Sequence, residues 1–366
     1  MTRPIRSEQS DWIGFVDLLI QSQKVRLGSA SAHSIELPAE EAWVGFREAA
    51  AYHGLLLGTM AAFSPSGVLS RMPPDVRTDL EEECRRHSTF QLSQAVELGR
   101  LAERLDRSGI TALAFKGPIL TQQLFGDVVS RESADMDLLV PDGSVFAALE
   151  VLEKEGYEWA EMGPRPDKAA DLLSNHAFTL RSNDDRFLAD LHWHLAEDVA
   201  LDFVPERSSL FEDPETVDLL GRPVLTVSRQ KQLPLLGFHA AKHAWYLLKW
   251  FVDIAALAKL PEFDWDAAFR FIDASKAGGV ARVSHLGLLV SDRLFDCPLP
   301  PEVRRRIERD RRAMALVPVV IDDIRASREY DMSEQHRVLL ALNEGGWSRL
   351  KRAGVSVWER ANRTGF

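Results

Sequence analysis

The chain has 366 residues, 45% of them hydrophobic, and a formal net charge of -11. That length exceeds what one hydrophobic core normally serves, so two or three packed units are expected. The acidic balance argues against a nucleic-acid partner, because phosphate backbones are held by basic surface.

The arginine run Arg304, Arg305, Arg306, Arg309, Arg311 and Arg312 is interrupted by Glu308 and Asp310 and reads as a solvated helix face. Cys84 and Cys297 are too few and too far apart for a disulfide framework or a metal knuckle. No apolar run approaches the roughly 20 residues of a membrane span. The first hydrophobic segment is short and broken by Asp17, unlike a secretory leader. These features lead to the expectation of a cytoplasmic, membrane-free protein.

In chain order, residues 8–24 and 39–62 carry apolar side chains at helical spacing, and a third long helix runs to about Ser108. A turn-rich stretch, 63–74, separates the second from the third. The pattern changes at Gly109. ITALAF (110–115) is an apolar run of strand length. KGP and a short helix to Phe125 follow, and ADMDLLVP (134–141) is the next strand. A helix is expected near 143–155. HAFTLRS (176–182) and RFLADLHWHL (186–195) flank the turn formers Asn183, Asp184 and Asp185 and read as a hairpin. From about Gln230 the chain is helical again, punctuated by prolines. The expected class is α+β, with an N-terminal helical region 1–108, a central α+β unit 109–228 and a C-terminal helical domain 229–366.

The chemistry is concentrated in two strands. Side chains alternate faces along a strand, so Asp135 and Asp137 share one face while Met136, Leu138 and Val140 take the other. Two adjacent carboxylates repel unless a cation sits between them. In the second strand Asp190, His192 and His194 fall opposite Ala189, Leu191 and Trp193. If the strands are neighbours, three carboxylates converge, as two-metal phosphoryl chemistry requires. The bland alternative is a pair of surface strands with solvated acids. Lys116-Gly117 stands where strand gives way to helix, a place where backbone N–H groups and a nearby ammonium suit phosphate. A plain turn with Pro118 as a first-turn helical residue reads the same way. Arg131 fits either phosphate oxygens or a neighbouring acid.

The helix over 239–257 aligns His239, Lys242, His243 and Tyr246 at three- and four-residue steps, with Lys249, Trp250 and Asp253 extending the stripe. Lys242 is the residue on it best suited to reach phosphate, and Asp253 is a candidate contact to base or sugar. A rival class would gather His192, His194, His239 and His243 on zinc for hydrolysis. HAAKH lacks the glutamate of HExxH, and that reading leaves the paired aspartates unexplained.

LAFKGPIL (113–120), RESADMDLLV (131–140), DLHW (190–193) and HAAKHAWYLLKWFVDIAAL (239–257) together resemble a family of bacterial uncharacterised nucleotidyltransferases. The resemblance implies a polymerase-β-like palm: a mixed sheet with helices, flanked here by the two helical regions. It implies that Asp135 and Asp137 bind two Mg2+ ions, replaceable by Mn2+, and that Asp190 completes the site and helps deprotonate the acceptor. It places Lys116, Gly117, Arg131 and Lys242 on the nucleotide phosphates, and it leaves His192 as a contact to the acceptor or as a metal ligand. The expected reaction moves a nucleoside monophosphate from an NTP, with ATP the first choice, to a hydroxyl of an acceptor that the sequence does not identify. That acceptor is a small molecule, sugar, peptide or protein. Pro118 departs from the second small residue of the superfamily's phosphate turn. That departure keeps open a second reading, a degenerate nucleotide- or peptide-binding module without turnover.

Overall fold

The computed structural model describes residues 9–160, 176–195, 204–275, 279–328 and 342. The first helices are α1 (Gln9–Arg26), α2 (Trp43–Tyr52), α3 (Leu56–Phe63) and the long α4 (Pro74–Arg107). The apolar stretch 39–62, continuous in the sequence reading, is broken between α2 and α3. Gly54 there adopts φ +63, a conformation that ends a right-handed helix.

The central sheet contains β1 (Leu113–Ala114), β2 (Asp135–Leu139), β3 (Tyr157–Trp159), β4 (Ala177–Ser182), β5 (Leu188–His192), β6 (Glu215–Leu219) and β7 (Arg222–Thr226). Their order is β3-β4-β5-β2-β1-β7-β6. The pairs β2–β5 and β1–β7 are parallel and the remaining neighbours antiparallel, so the sheet is mixed. The hairpin expected around Asn183–Asp185 is the β4–β5 pair. The run expected as a strand over 110–115 contributes only Leu113 and Ala114 to the ladder. The β6–β7 hairpin was not anticipated. Its signal is Leu220-Gly221, both at positive φ, the two-residue turn that matches strand twist.

Helices α5 (Gly117–Phe125) and α6 (Val145–Lys154) belong to this central unit. One sheet face is sealed by apolar packing. Met136 and Leu138 from β2, Ala189 and Leu191 from β5, and Phe178 and Leu180 from β4 meet the α6 stripe Val145, Ala148, Leu149, Leu152. The last turns of α4, through Ala95, Leu98, Leu101 and Leu105, join the same cluster. The period-two alternation of the strands and the 3.6-residue period of the helices produce this layer directly. The opposite face carries the charged residues.

The later helices are α7 (Arg229–Lys242), α8 (Leu248–Ala258), α9 (Trp265–Ala274), α10 (Val280–Phe295), α11 (Pro301–Glu308) and α12 (Arg311–Arg325). They share one apolar core with α1, α2 and α3: Val16, Leu19, Phe46 and Phe63 pack in the same cluster as Phe251, Ile254, Leu286 and Phe295. No helix among the described residues is long and apolar enough to cross a membrane.

Two polar ties fix α8 to the rest. Leu248 N–H, one of the donors a helix start leaves unpaired, donates to Nδ1 of the fully buried His53 at 3.2 Å. That bond makes Nδ1 an acceptor, so Nε2 carries the proton and donates to Ser327 Oγ at 3.1 Å. The second tie is a bidentate ion pair between Arg131 and Asp253, Nε–Oδ1 2.7 Å and Nη2–Oδ2 2.9 Å, which clamps the loop before β2 to α8.

Burial pulls His53 down to about 3, against about 6.5 in the unfolded chain. At pH 7 both states are neutral. Below about pH 6.5 the unfolded chain takes up a proton that the folded chain refuses, so stability is lost as pH falls. The expected loss from this group is about 2 kcal/mol between pH 7 and pH 5. Urea melts should show His53→Gln less stable than wild type at pH 7 but with a shallower pH slope between 7 and 5, and identical slopes would contradict this account. At the second tie, Asp253→Ala leaves a buried guanidinium without its counter-ion and should cost about 3–5 kcal/mol. The paired change Arg131→Met with Asp253→Leu should recover most of that loss in the same melts.

Candidate functional site

The acidic face is built by strand register. β2 and β5 run parallel with Asp137 directly opposite Asp190 and Leu139 opposite His192. Alternation puts Asp135 and Asp137 on this face, and Asp190 and His192 beside them. One ligand atom each from Asp137, Asp190 and His192 lies within 4.8 Å of the others, and among the described residues this is the one such metal-competent group. Asp135 stands one pleat away on the same face. His194, His239 and His243 do not join a group of this kind, so the four-histidine zinc centre weighed from sequence is not assembled.

Asp137 is the centre of the arrangement and is 2% exposed. Its Oδ1 accepts from Lys116 Nζ at 2.8 Å and from His192 Nε2 at 2.9 Å. Because a carboxylate only accepts, His192 carries its proton on Nε2 in this contact. Burial alone would raise the Asp137 pKa, but the Lys116 ammonium and the His192 bond outweigh it and hold the group well below the usual carboxylate range. Asp135 moves the other way. Burial, and then the charge of Asp137, push it up to about 6. Asp190 is half-buried and has no hydrogen-bond partner among the described residues.

Two buried polar atoms here lack partners among the described residues: Asp137 Oδ2 and His192 Nδ1. A buried carboxylate oxygen without a donor is costly, and a cation is the natural species to satisfy it. The carboxylate oxygens suit a hard divalent ion such as Mg2+ or Mn2+, whereas the imidazole nitrogen is accepted more readily by Mn2+ than by Mg2+.

Lys116 and Gly117 link β1 to α5. Lys116 is extended, and Gly117 follows at φ +58. A Cβ at position 117 would lie 2.9 Å from the Asp135 carbonyl oxygen and 3.1 Å from Ser133 Oγ. Glycine is therefore required for α5 to start this close to β2, apart from any approach of a ligand. The first turn of α5 has no side-chain cap. Arg131 and Asp253 are buried against each other, with Asp253 only 1% exposed and both its oxygens on the guanidinium. Lys242 lies at the end of α7 and, with Phe115, Lys116, His192, Gln232 and His239, lines a small cavity beside Asp137. Burial keeps His239 well below its ordinary pKa, and the nearby Lys116 adds to the effect.

The structure thus brings Asp135, Asp137, Asp190, Lys116 and His192 together, with Gly117 behind Asp135 and Lys242 at the rim. Arg131 and Asp253 meet each other. Sequence reading placed Lys116 on phosphate and did not foresee its bond to Asp137. The signal lay in the β1–β2 pairing, which no linear pattern states. The single helix expected over 239–257 is broken into α7 and α8, with Ala244 and Trp245 at positive φ between them, and Lys249, left without a role on that stripe, is among the cations that act on Asp135.

Comparison with known proteins bears on the same segment. A family model described as "uncharacterised nucleotidyltransferase" matches residues 39–296. Solved structures similar to the chain include ANT(2")-Ia in complex with adenylyl-2"-tobramycin, at 18% identity over 58% of this chain and 98% of that one, TM-score 0.31. Another is an antigenic nucleotidyltransferase-like protein from Paracoccidioides brasiliensis, at 14% identity over 60% of this chain and 94% of that one, TM-score 0.35. No curated protein matches the chain at a significant level. Structural similarity at these TM-scores adds no weight, and the assignment rests on the family match. That match takes in α2 through α10 and every acidic residue of the site, and by it the chain belongs to the family of uncharacterised nucleotidyltransferases.

Proposed function

We propose that the protein transfers a nucleoside monophosphate from an NTP, ATP first among them, to a hydroxyl of an acceptor and releases pyrophosphate, with Mg2+ as the supporting ion. The observation that carries this reading is Asp137 opposite Asp190 on adjacent parallel strands, with a buried Asp137 oxygen left unsatisfied. An acid pair held at such cost is explained by a cation it is built to receive.

Asp135, Asp137 and Asp190 would hold the metal, with His192 either as a further ligand or as the donor that orients Asp137. Bound divalent ions would supply charge neutralisation of the triphosphate and a more acidic acceptor hydroxyl. The chain's own residues do the rest. Asp190, whose carboxylate has no hydrogen-bond partner among the described residues, takes the proton of the acceptor hydroxyl. The acceptor oxygen forms a bond to the α-phosphorus, the bond from that phosphorus to the α,β-bridging oxygen breaks, and pyrophosphate leaves with the electron pair. Lys116, bonded to Asp137 here, would be available to the phosphates once Asp137 served a metal ion. Gly117 brings the uncapped start of α5 beside them, and Lys242 approaches from the rim. Arg131 and Asp253, bonded to each other, act by fixing the loop before β2 against α8. Positioning and charge neutralisation account for the rate in such a site.

The test is NTP-dependent labelling. Wild-type protein with Mg2+ and radiolabelled ATP, offered a panel of hydroxyl-bearing small molecules and proteins, should release pyrophosphate, and EDTA should stop the release. Asp137→Asn should lower it by at least about a hundredfold while its circular-dichroism melt stays cooperative. Transfer at wild-type rate by this variant would overturn the assignment. Absence of release across the panel together with tight metal-dependent nucleotide binding would favour a non-catalytic binding module.

A further inference from the structure

The cations around the acidic face differ in how their charge is used. Lys116 bonds Asp137 and Arg131 bonds Asp253. Arg26 donates to Ser130 Oγ and lies 3.7 Å above the Phe125 ring. Lys249, in the first turn of α8, has neither a hydrogen bond nor an ion pair among the described residues, although it is half-buried. Arg131, Asp253, Glu132 and Asp135 are the charges that face it. Glu132 does not close the gap: its Oε1 accepts Leu57 N–H at 2.8 Å, and its Oε2 is buried without a partner.

The fold goes to some length to place this ammonium. Leu248, the residue before it, is pinned through its N–H by buried His53. Gly54, the residue after His53, is at φ +63, and a Cβ there would lie 2.7 Å from Lys249 Cδ. A left-handed glycine and a buried neutral histidine thus make a slot for the lysine stem. Desolvation pulls the Lys249 pKa below its ordinary value, so the unliganded arrangement is unfavourable for the charge that the slot delivers. An unpaired ammonium held in this way calls for an anion.

The position identifies the anion. α8 packs on α5, and the start of α5 touches the Asp135 backbone through Gly117. Asp135 therefore lies against the uncapped first turn of α5, with Lys116 and Lys249 as the cations it feels. An anionic group seated against a metal-binding Asp135 would meet backbone N–H groups from α5 and the Lys249 ammonium together.

We infer that Lys249 is a phosphate-binding residue, contributed by the C-terminal helices to the triphosphate of the NTP held at Asp135 and Asp137. The inference rests on the transferase reading above. A phosphate oxygen supplies the hydrogen-bond acceptor that neither Glu132 nor Asp253 gives, and it couples occupancy of the palm to the position of α8.

The full chain, as wild type, Lys249→Met and Lys249→Gln, should be titrated by calorimetry with α,β-methylene-ATP and with inorganic pyrophosphate, each with Mg2+. Mn2+ binding is followed in parallel by electron paramagnetic resonance. Both variants are expected to bind the two phosphate ligands about ten- to a hundredfold more weakly, the range for loss of a charge-assisted hydrogen bond. They should bind Mn2+ as tightly as wild type or tighter, because a positive neighbour of Asp135 is gone. Their thermal midpoints should equal or exceed that of wild type, since a partly desolvated charge without a hydrogen-bond acceptor has been removed. Equal binding of the phosphate ligands by wild type and both variants would overturn the role of Lys249 and leave the transferase reading intact. Loss of Mn2+ binding together with phosphate binding would also overturn it, by showing that the lysine shapes the acid cluster instead. A wild-type protein that binds neither phosphate ligand would overturn the transferase reading, and this inference with it.

Discussion

The arrangement depends on the parallel register that sets Asp137 against Asp190. Two carboxylates facing each other across adjacent strands repel, and burial of Asp137 makes the repulsion stronger because the surrounding dielectric is low. The structure meets this cost locally with Lys116 and His192 on one Asp137 oxygen. It leaves the other oxygen bare. The stability that makes the arrangement possible comes from the reverse side of the same strands, where Met136, Leu138, Ala189 and Leu191 are fully buried beneath α6 and the end of α4. A one-residue slip in either strand would move acids into that layer and apolar groups into the cleft. The apolar face therefore specifies the acidic one.

This explains which features could be read in the chain beforehand. The alternation in ADMDLLVP and RFLADLHWHL states both faces at once, because a strand pattern of period two needs no knowledge of its neighbours. The identity of those neighbours is another matter. Asp137 and Asp190 are opposite only because β2 and β5 pair directly, and the intervening residues do not dictate that. Long-range partners were hidden for the same reason. Arg131 and Asp253 are 122 positions apart, and the bond from Lys116 to Asp137 follows from β1 lying beside β2. The break between α2 and α3 was hidden differently. Apolar side chains continue across it, and only Gly54, which a helix tolerates at modest cost, marks the place.

The helical flanks do more than enclose the central unit. They meet in one apolar core, so α8 is held from both ends of the chain: His53 from the N-terminal helices takes its first N–H, and Ser327 beyond α12 takes the other side of the same imidazole. Trp12 Nε1 donates to that same Ser327 hydroxyl at 2.6 Å. A connected network of hydrogen bonds, with His53 both accepting and donating, fixes orientation more firmly than apolar contact alone. Its effect is felt one residue later, at Lys249.

Seen as charge, the cleft has two kinds of cation. Arg131 is neutralised by a bidentate carboxylate and so contributes mainly rigidity, since breaking that pair would strand a buried charge. Lys116 is neutralised by Asp137, but only until a cation of higher charge competes for the same oxygen, which makes its partnership exchangeable. Lys249 feels Asp253, Glu132 and Asp135 but bonds to none of them, and it has no ion-pair partner among the described residues. A site balanced in this way favours ligands that arrive as a cation and an anion together. On the proposed function, metal alone would meet Lys116 already in place and phosphate alone would meet the acids, whereas a metal–triphosphate complex would satisfy Asp137, free Lys116 and give Lys249 its partner in one step. The selectivity for the combined ligand then lies in the mutual repulsion of the groups left unpaired without it.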